Sequence, residues 1–195
     1  MTGQSPEPLR LVPGIPGSRW ILTGGIQSGK TSYLERLLDQ WRHAPARWHV
    51  GGLVSPGVFL GGRKVACRGC DCLTGECFLL GVRHELSADA RHLLEREFGL
   101  HCGRGSGQSV GSWLILDHGL GRAAEAIAQA VANRCDLVVV DEFGPLELGG
   151  KGLRVVVDHA VESGVPILLI VRETLVERVQ KLYGRFTVFD VPPVP

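Results

Sequence analysis

The chain predicts an α/β fold: a mostly parallel sheet with helices on both faces and an inserted β-hairpin. Three observations carry this. DLVVVDEF (136–143) and PILLIV (166–171) are nearly unbroken apolar runs, as in strands covered on both sides. Amphipathic stretches lie between the strand-like runs; in one, Tyr33, Leu34, Leu37, Leu38 and Trp41 recur at helical spacing. Strands that alternate with helices imply parallel pairing through crossovers.

The elements come in this order. RWILTG (19–24) is a buried strand ending in glycine, and KTSYLERLLDQW a helix to about Arg42. RWHVGGLVS (47–55) reads as the next strand. GRKVACRGCDCL and ECFLLGVR flank LTGE and read as the inserted hairpin. SADARHLLEREF is a helix with Ser87 at its N-cap. HCGRGSGQSVGS (101–112) is glycine-rich and polar, hence a loop. WLILD (113–117) is a strand and GRAAEAIAQAVANR a helix. GLRVVVDHAVESG is helical despite its β-branched run, because PILLIV is the better strand. ETLVERVQKLYG is the last helix and RFTVFDV the last strand.

The 195 residues, 44% of them hydrophobic, suit one domain over 19–191 with a sizeable core. Residues 1–18, rich in Pro and Gly, predict an extended flexible leader, and VPPVP a loose tail. A formal charge of +1 carries no footprint for nucleic acid. No apolar run reaches the roughly 18 residues of a membrane span. The N-terminus has no basic stretch followed by an apolar one, so no secretory signal. Six cysteines without an export signal argue for reduced thiols, not a disulfide framework, and for a cytoplasmic protein.

GGIQSGKT (24–31) fits G-x-x-x-x-G-K-[ST], and it follows a strand and opens a helix, as a phosphate-binding P-loop must. Glycines let the backbone amides of Gly24, Gly25, Ile26, Gln27, Ser28 and Gly29 curl inward at phosphates. Lys30, Thr31 and Ser32 add the free amides and positive dipole end of a helix N-terminus. Lys30 reaches the β- and γ-phosphates, and the Thr31 hydroxyl serves Mg²⁺. A nucleoside triphosphate is the expected ligand, ATP or GTP alike in this motif. No Asn-Lys-x-Asp motif that would read guanine is present.

Such a cradle needs an acid at the end of a buried strand. Asp141 closes the run of DLVVVDEF and is the expected Mg²⁺ carboxylate. Glu142 beside it can polarise the water that attacks the γ-phosphate, or cap the following turn, or contact Thr31.

Together, GGIQSGKT and DEFGPLEL (141–148) resemble the small P-loop nucleoside-triphosphatases of thermophilic microbes and their human cancer-related relative. That family's second motif runs Asp-Glu, apolar, Gly, two variable residues, Glu, apolar. Asp141, Glu142, Phe143, Gly144, Glu147 and Leu148 match it in order. The hairpin layout of residues 51–76 is also similar, and Ile26 and Gln27 stand where family cradles often carry Pro and Gly. The resemblance spans roughly residues 19–190. It implies a RecA-like sheet and Mg²⁺-dependent hydrolysis of nucleoside triphosphates with broad base tolerance. It carries Gly24, Gly29, Lys30 and Thr31 to phosphate and metal, Asp141 to metal, and Glu142 to water. Glu147 matches without an assigned role.

Arg172 follows PILLIV, where it either stabilises charge on the γ-phosphate or pairs with Glu173 or Glu177 at the surface. Arg104, in the glycine-rich loop, is a second such cation. Cys67, Cys70, Cys72 and Cys77 lie within eleven residues. Their spacing suits Zn or an Fe–S cluster, although Cys67 points away from Cys70 and Cys72 on an extended strand. The other reading is of small apolar residues buried on a strand. His101 and Cys102 would be further ligands. The remaining histidines show no ligand spacing, and the tryptophans sit in apolar contexts.

Two other functions fit the same cradle. One is a small-molecule or nucleotide kinase, for which no arginine-rich lid is evident. The other is a nucleotide-gated adaptor, in which a protein partner or a metal-cofactor pathway meets the cysteine hairpin.

Overall fold

The computed structural model of the chain describes residues 11, 13–25, 28–98 and 106–192. The elements run β1 (Arg19–Thr23), α1 (Lys30–His43), β2 (Val50–Val54), β3 (Gly57–Leu60), β4 (Arg63–Asp71), β5 (Cys77–Arg83), α2 (Ala88–Phe98), β6 (Gly107–Val110), β7 (Trp113–Leu116) and α3 (Asp117–Ala132). They continue with β8 (Leu137–Phe143), α4 (Pro145–Leu148), α5 (Arg154–Glu162), β9 (Ile167–Val171), a 3-10 turn (Glu173–Leu175), α6 (Val176–Tyr183) and β10 (Thr187–Asp190).

All ten strands form one sheet, in the order β10-β1-β9-β8-β2-β4-β5-β7-β6, with β3 on β4. β10, β1, β9, β8 and β2 are parallel. β9 therefore stands between the strand that leads into the cradle and the strand that ends in the acid. The remaining strands pair antiparallel. The expected single hairpin is thus only part of a five-stranded antiparallel extension. Two of its strands escape the sequence pattern. GVFL (57–60) is too short to show alternation, and GQSV (107–110), expected as loop, pairs with β7 from Gly107↔Leu116 to Val110↔Trp113. Residues 101–105 of that segment lie outside the described residues.

Alternation along the parallel strands divides the core. Ile21, Val138, Val140, Ile167 and Leu169 face α3, α5 and α6, where Ile127, Ala130, Val157, Ala160 and Val179 are buried. Trp20, Leu22, Leu137, Val139, Leu168 and Ile170 face α1, burying Leu34, Leu37, Leu38 and Trp41. Both faces of the sheet are dry, which explains the continuous apolar runs. Over the antiparallel part, Leu94 of α2 packs on Val58, Ala66, Leu79 and Leu116. The α2 N-terminus is capped as expected, with the Ala90 N–H donating to Ser87 Oγ at 3.1 Å.

The segment before β1 contacts the fold. Leu11 is buried in the α1-side core, and the N–H groups of Gly14 and Gly17 donate to the carbonyls of Asp136 and Gly164, each at 2.8 Å.

Candidate functional site

The cradle is the turn from β1 into α1. Gly29 sits at the helix N-cap with φ 80°, a conformation natural to glycine. Gly24 also has positive φ, and a Cβ there would come within 2.7 Å of Ser28 Oγ. Ile26 and Gln27 lie outside the described residues. The Lys30 ammonium donates to the carbonyls of Gly24 at 2.9 Å and Gly25 at 2.5 Å, and contacts Ser28 Oγ at 3.4 Å. Partial burial, then the charge of Arg172, hold its pKa below the ordinary lysine range. Arg172, exposed at the end of β9, therefore lies near enough for its charge to act on Lys30. Its neighbour Glu173 also borders the loop, with Oε1 4.0 Å from where a Gly25 Cβ would be. Thr31 and Ser32 open α1. Arg104, His101 and Cys102 lie outside the described residues.

Asp141 is 2% exposed. Its Oδ2 accepts the Thr31 hydroxyl and the Ser55 N–H, each at 3.0 Å. Cradle and strand acid, 110 residues apart, thus meet as the motif demands. Burial, then the adjacent Glu142 charge, push the Asp141 carboxyl up to about 6 against these two donors. Asp141 Oδ1 has no protein partner, nor have the buried Ser55 Oγ and Thr23 Oγ1. These oxygens stand at the C-terminal ends of β8, β2 and β1, where parallel sheets bind ligands. A hard, hydrated cation such as Mg²⁺ takes oxygen ligands of this kind, so the donor set fits it.

Glu142 occupies an unusual place. Its φ is 65°, in the left-handed region, and the β8–β9 register shifts between Val140 and Phe143. This is a bulge: one extra residue re-aims the side chains beyond it. Phe143 returns to the core at 1% exposure, while the Glu142 side chain is thrown out to 46%. Among the described residues, the Glu142 side chain hydrogen-bonds neither to Thr31, whose hydroxyl goes to Asp141, nor to the following turn, whose Gly144 N–H goes to Glu147. Glu142 Oε1 takes the Lys64 ammonium from β4 at 3.1 Å.

The turn is organised by Glu147 instead. Its Oε2 accepts the Gly144 N–H at 3.0 Å and its Oε1 the Leu153 N–H at 3.3 Å. It supplies the glutamate half of a capping box at the start of α4 and ties α4 to the start of α5. Burial raises its pKa against those donors.

The cysteines depart from expectation twice. First, Cys70 and Cys77 are antiparallel partners with Cα atoms 4.1 Å apart, and they form a disulfide. The inference of only reduced thiols fails because the register of the hairpin places these two side by side. Second, the four do not assemble as a Zn or Fe–S site. Cys67 is buried on the α3 side of the sheet and Cys72 on the α1 side, so the sheet separates them. Among the described residues, no group of three or more His, Cys, Asp or Glu could hold a metal. Cys67 and Cys72 behave as small core residues.

Three residues at the site carry no sequence signal: Ser55, Thr23 and Lys64. The first two mark strand ends. Lys64 lies 78 residues from Glu142, on the first arm of the inserted hairpin.

Comparison with known proteins supports the architecture. A family model described as "Protein of unknown function (DUF2478)" matches residues 100–189. The chain is 31% identical over 153 residues to the nucleoside-triphosphatase THEP1 of Methanopyrus kandleri, covering 78% of this chain and 72% of that protein. The solution structure of a human cancer-related nucleoside triphosphatase superposes with a TM-score of 0.61 at 20% identity, over 90% of this chain and 89% of that one. The crystal structure of THEP1 from the hyperthermophile Aquifex aeolicus gives 0.61 at 17%, over 89% of each chain. These two likenesses establish the P-loop α/β fold. With phosphate cradle and strand acid joined on that fold, and with the Methanopyrus kandleri relation running through most of both chains, this chain belongs to the THEP1 nucleoside-triphosphatase family.

Proposed function

We propose that the chain hydrolyses nucleoside triphosphates to diphosphate and phosphate, with Mg²⁺ as cofactor. The observation that carries this is the 3.0 Å bond from Thr31 to Asp141, which ties the phosphate cradle to a buried acid with a free oxygen. Thr31 and Asp141 are the residues that would hold Mg²⁺, which would supply positive charge against the negative charge that develops on the transferring phosphoryl group.

The chain's own groups do the rest. Amides of the cradle and the α1 N-terminus bind the phosphates. Lys30 exchanges its loop carbonyls for phosphate oxygens, which are better partners for an ammonium. Arg172 adds a second positive charge at the same mouth. Glu142, exposed by the bulge beside Asp141, orients a water in line with the γ-phosphorus. The water oxygen bonds to phosphorus as the bond to the bridging β-oxygen breaks, and the released proton passes to the carboxylate and then to solvent.

The test is steady phosphate release from ATP, GTP, CTP and UTP with Mg²⁺ and no acceptor. Glu142→Gln should lower kcat by about 100-fold or more while nucleotide still binds. Equal turnover in that variant would remove Glu142 from the mechanism. Release only with an added acceptor would mark a kinase. Tight binding without turnover would mark an adaptor.

A further inference from the structure

We infer that Lys64, delivered by the antiparallel extension, is a positioning residue for hydrolysis that holds the Glu142 carboxylate where it can orient the attacking water. This rests on the proposed role of Glu142 and adds the residue that makes it effective.

Glu142 needs such a partner. The bulge puts it on a left-handed backbone with its side chain about half exposed. It has several rotamers and stands beside a second carboxylate, Asp141. A bound γ-phosphate would repel it further. A carboxylate so placed swings away unless a cation fixes it.

An ordinary surface ion pair would not fix it, because two long side chains lose entropy in pairing. The Lys64 pair is different, because its seat is built by four strands. Its side chain is only 25% exposed. Its ammonium lies 5.4 Å from the Trp113 ring centroid, on β7. The backbone carbonyl of Lys64 accepts the Arg83 Nε–H from β5 at 2.9 Å, and the Arg83 guanidinium covers the same ring at 5.2 Å. On β3, Gly57 leaves room for two side chains: a Cβ there would stand 2.7 Å from Phe59 Cε2 and 3.0 Å from Lys64 Cε. The ammonium then meets Glu142 on β8 at 3.1 Å. Burial, the largest single influence, lowers the Lys64 pKa, but the charge and hydrogen bond of Glu142, with the smaller fields of Cys67 and Asp141, together raise it above the ordinary lysine value, so the cation stays charged. Much of the ordering cost is met on folding, which makes the pair a preorganised support for a site residue.

The experiment compares kcat and KM for Mg-ATP in the full chain and in Lys64→Met, Lys64→Arg, Glu142→Gln and the double variant Lys64→Met/Glu142→Gln. Thermal midpoints and binding of an unhydrolysable ATP analogue report folding and an intact cradle. Lys64→Met should lower kcat about tenfold or more with KM changed less than about twofold, because the lost interaction acts in the transition state. Lys64→Arg should restore most of the rate. The double variant should be no slower than Glu142→Gln, since Lys64 acts through Glu142. A normal or raised kcat in Lys64→Met, with Glu142→Gln impaired, would overturn the inference. So would fully multiplicative losses, which would place Lys64 on the phosphate itself. A normal kcat in Glu142→Gln would instead overturn the proposed function of that glutamate. If Lys64→Met binds the analogue poorly or melts early, Lys64→Gln, which keeps a polar uncharged head in the same seat, decides the question by the same kcat criterion.

Discussion

At the residue scale, two adjacent carboxylates live in opposite environments. Asp141 is sealed between Thr31 and Ser55, whereas Glu142 faces outward to Lys64. A regular strand would also alternate them, but it would then turn Phe143 away from the α3 side. The positive φ of Glu142 inserts the extra residue that returns Phe143 to the core, at a backbone cost of roughly 1–3 kcal/mol. Burial also decides the cysteines. It pushes the Cys67 and Cys72 thiols up to about 12 each. At pH 8 both stay protonated, and the thiol is a poor nucleophile. Iodoacetamide at pH 8 should therefore leave both unlabelled in the folded protein and label both in denaturant. Peptide mapping that finds either labelled at the rate of a free thiol would contradict this burial.

At the element scale, β2 is the hinge between the two halves of the sheet. It pairs parallel with β8 and antiparallel with β4. Gly52 has φ 102°, and a Cβ there would lie 2.1 Å from the Val139 carbonyl oxygen. No small shift relieves a clash with backbone. Gly52→Ala should destabilise by more than about 3 kcal/mol, through strain and lost β2–β8 pairing. Urea unfolding measures this, and a loss under about 1 kcal/mol would mean that the strand can flatten there. The same junction sets Ser55 against Asp141, so phosphate release from any folded Gly52→Ala should fall as well. α4, only Pro145–Leu148, is held because Glu147 accepts the N–H of its N-cap, Gly144, and reaches the start of α5. In the proposed function, the DEFGPLEL motif supplies one acid for Mg²⁺ and one for water, while Glu147 serves the fold.

At the scale of the whole molecule, the proposed ligand should report on the fold. A ligand that binds only the native state adds RT ln(1 + [L]/Kd) to stability. In Glu142→Gln, which should bind without consuming, Mg-ATP at 100 times its Kd should add about 2.7 kcal/mol. For a chain of 195 residues that is roughly 5–10 °C in Tm. Lys30→Ala in the same background should lose most of the shift, and an unchanged shift would mean that the nucleotide binds somewhere other than the cradle. Among the described residues, no helix is long and apolar enough to cross a membrane.

The sequence by itself determined the parallel half of the sheet, the cradle and the strand acid. Each rests on local chemistry: apolar runs, glycines before a helix, and a carboxylate at the end of a buried strand. Tertiary structure decided the rest, because it depends on register. Pairing of β4 with β5 set Cys70 beside Cys77, which no spacing rule foretold, whereas strand alternation already pointed Cys67 away from Cys72. Closure of the antiparallel extension over 78 residues brought Lys64 to Glu142. A charge on a strand carries no mark of the partner it will meet, since that partner is chosen by how strands align in space.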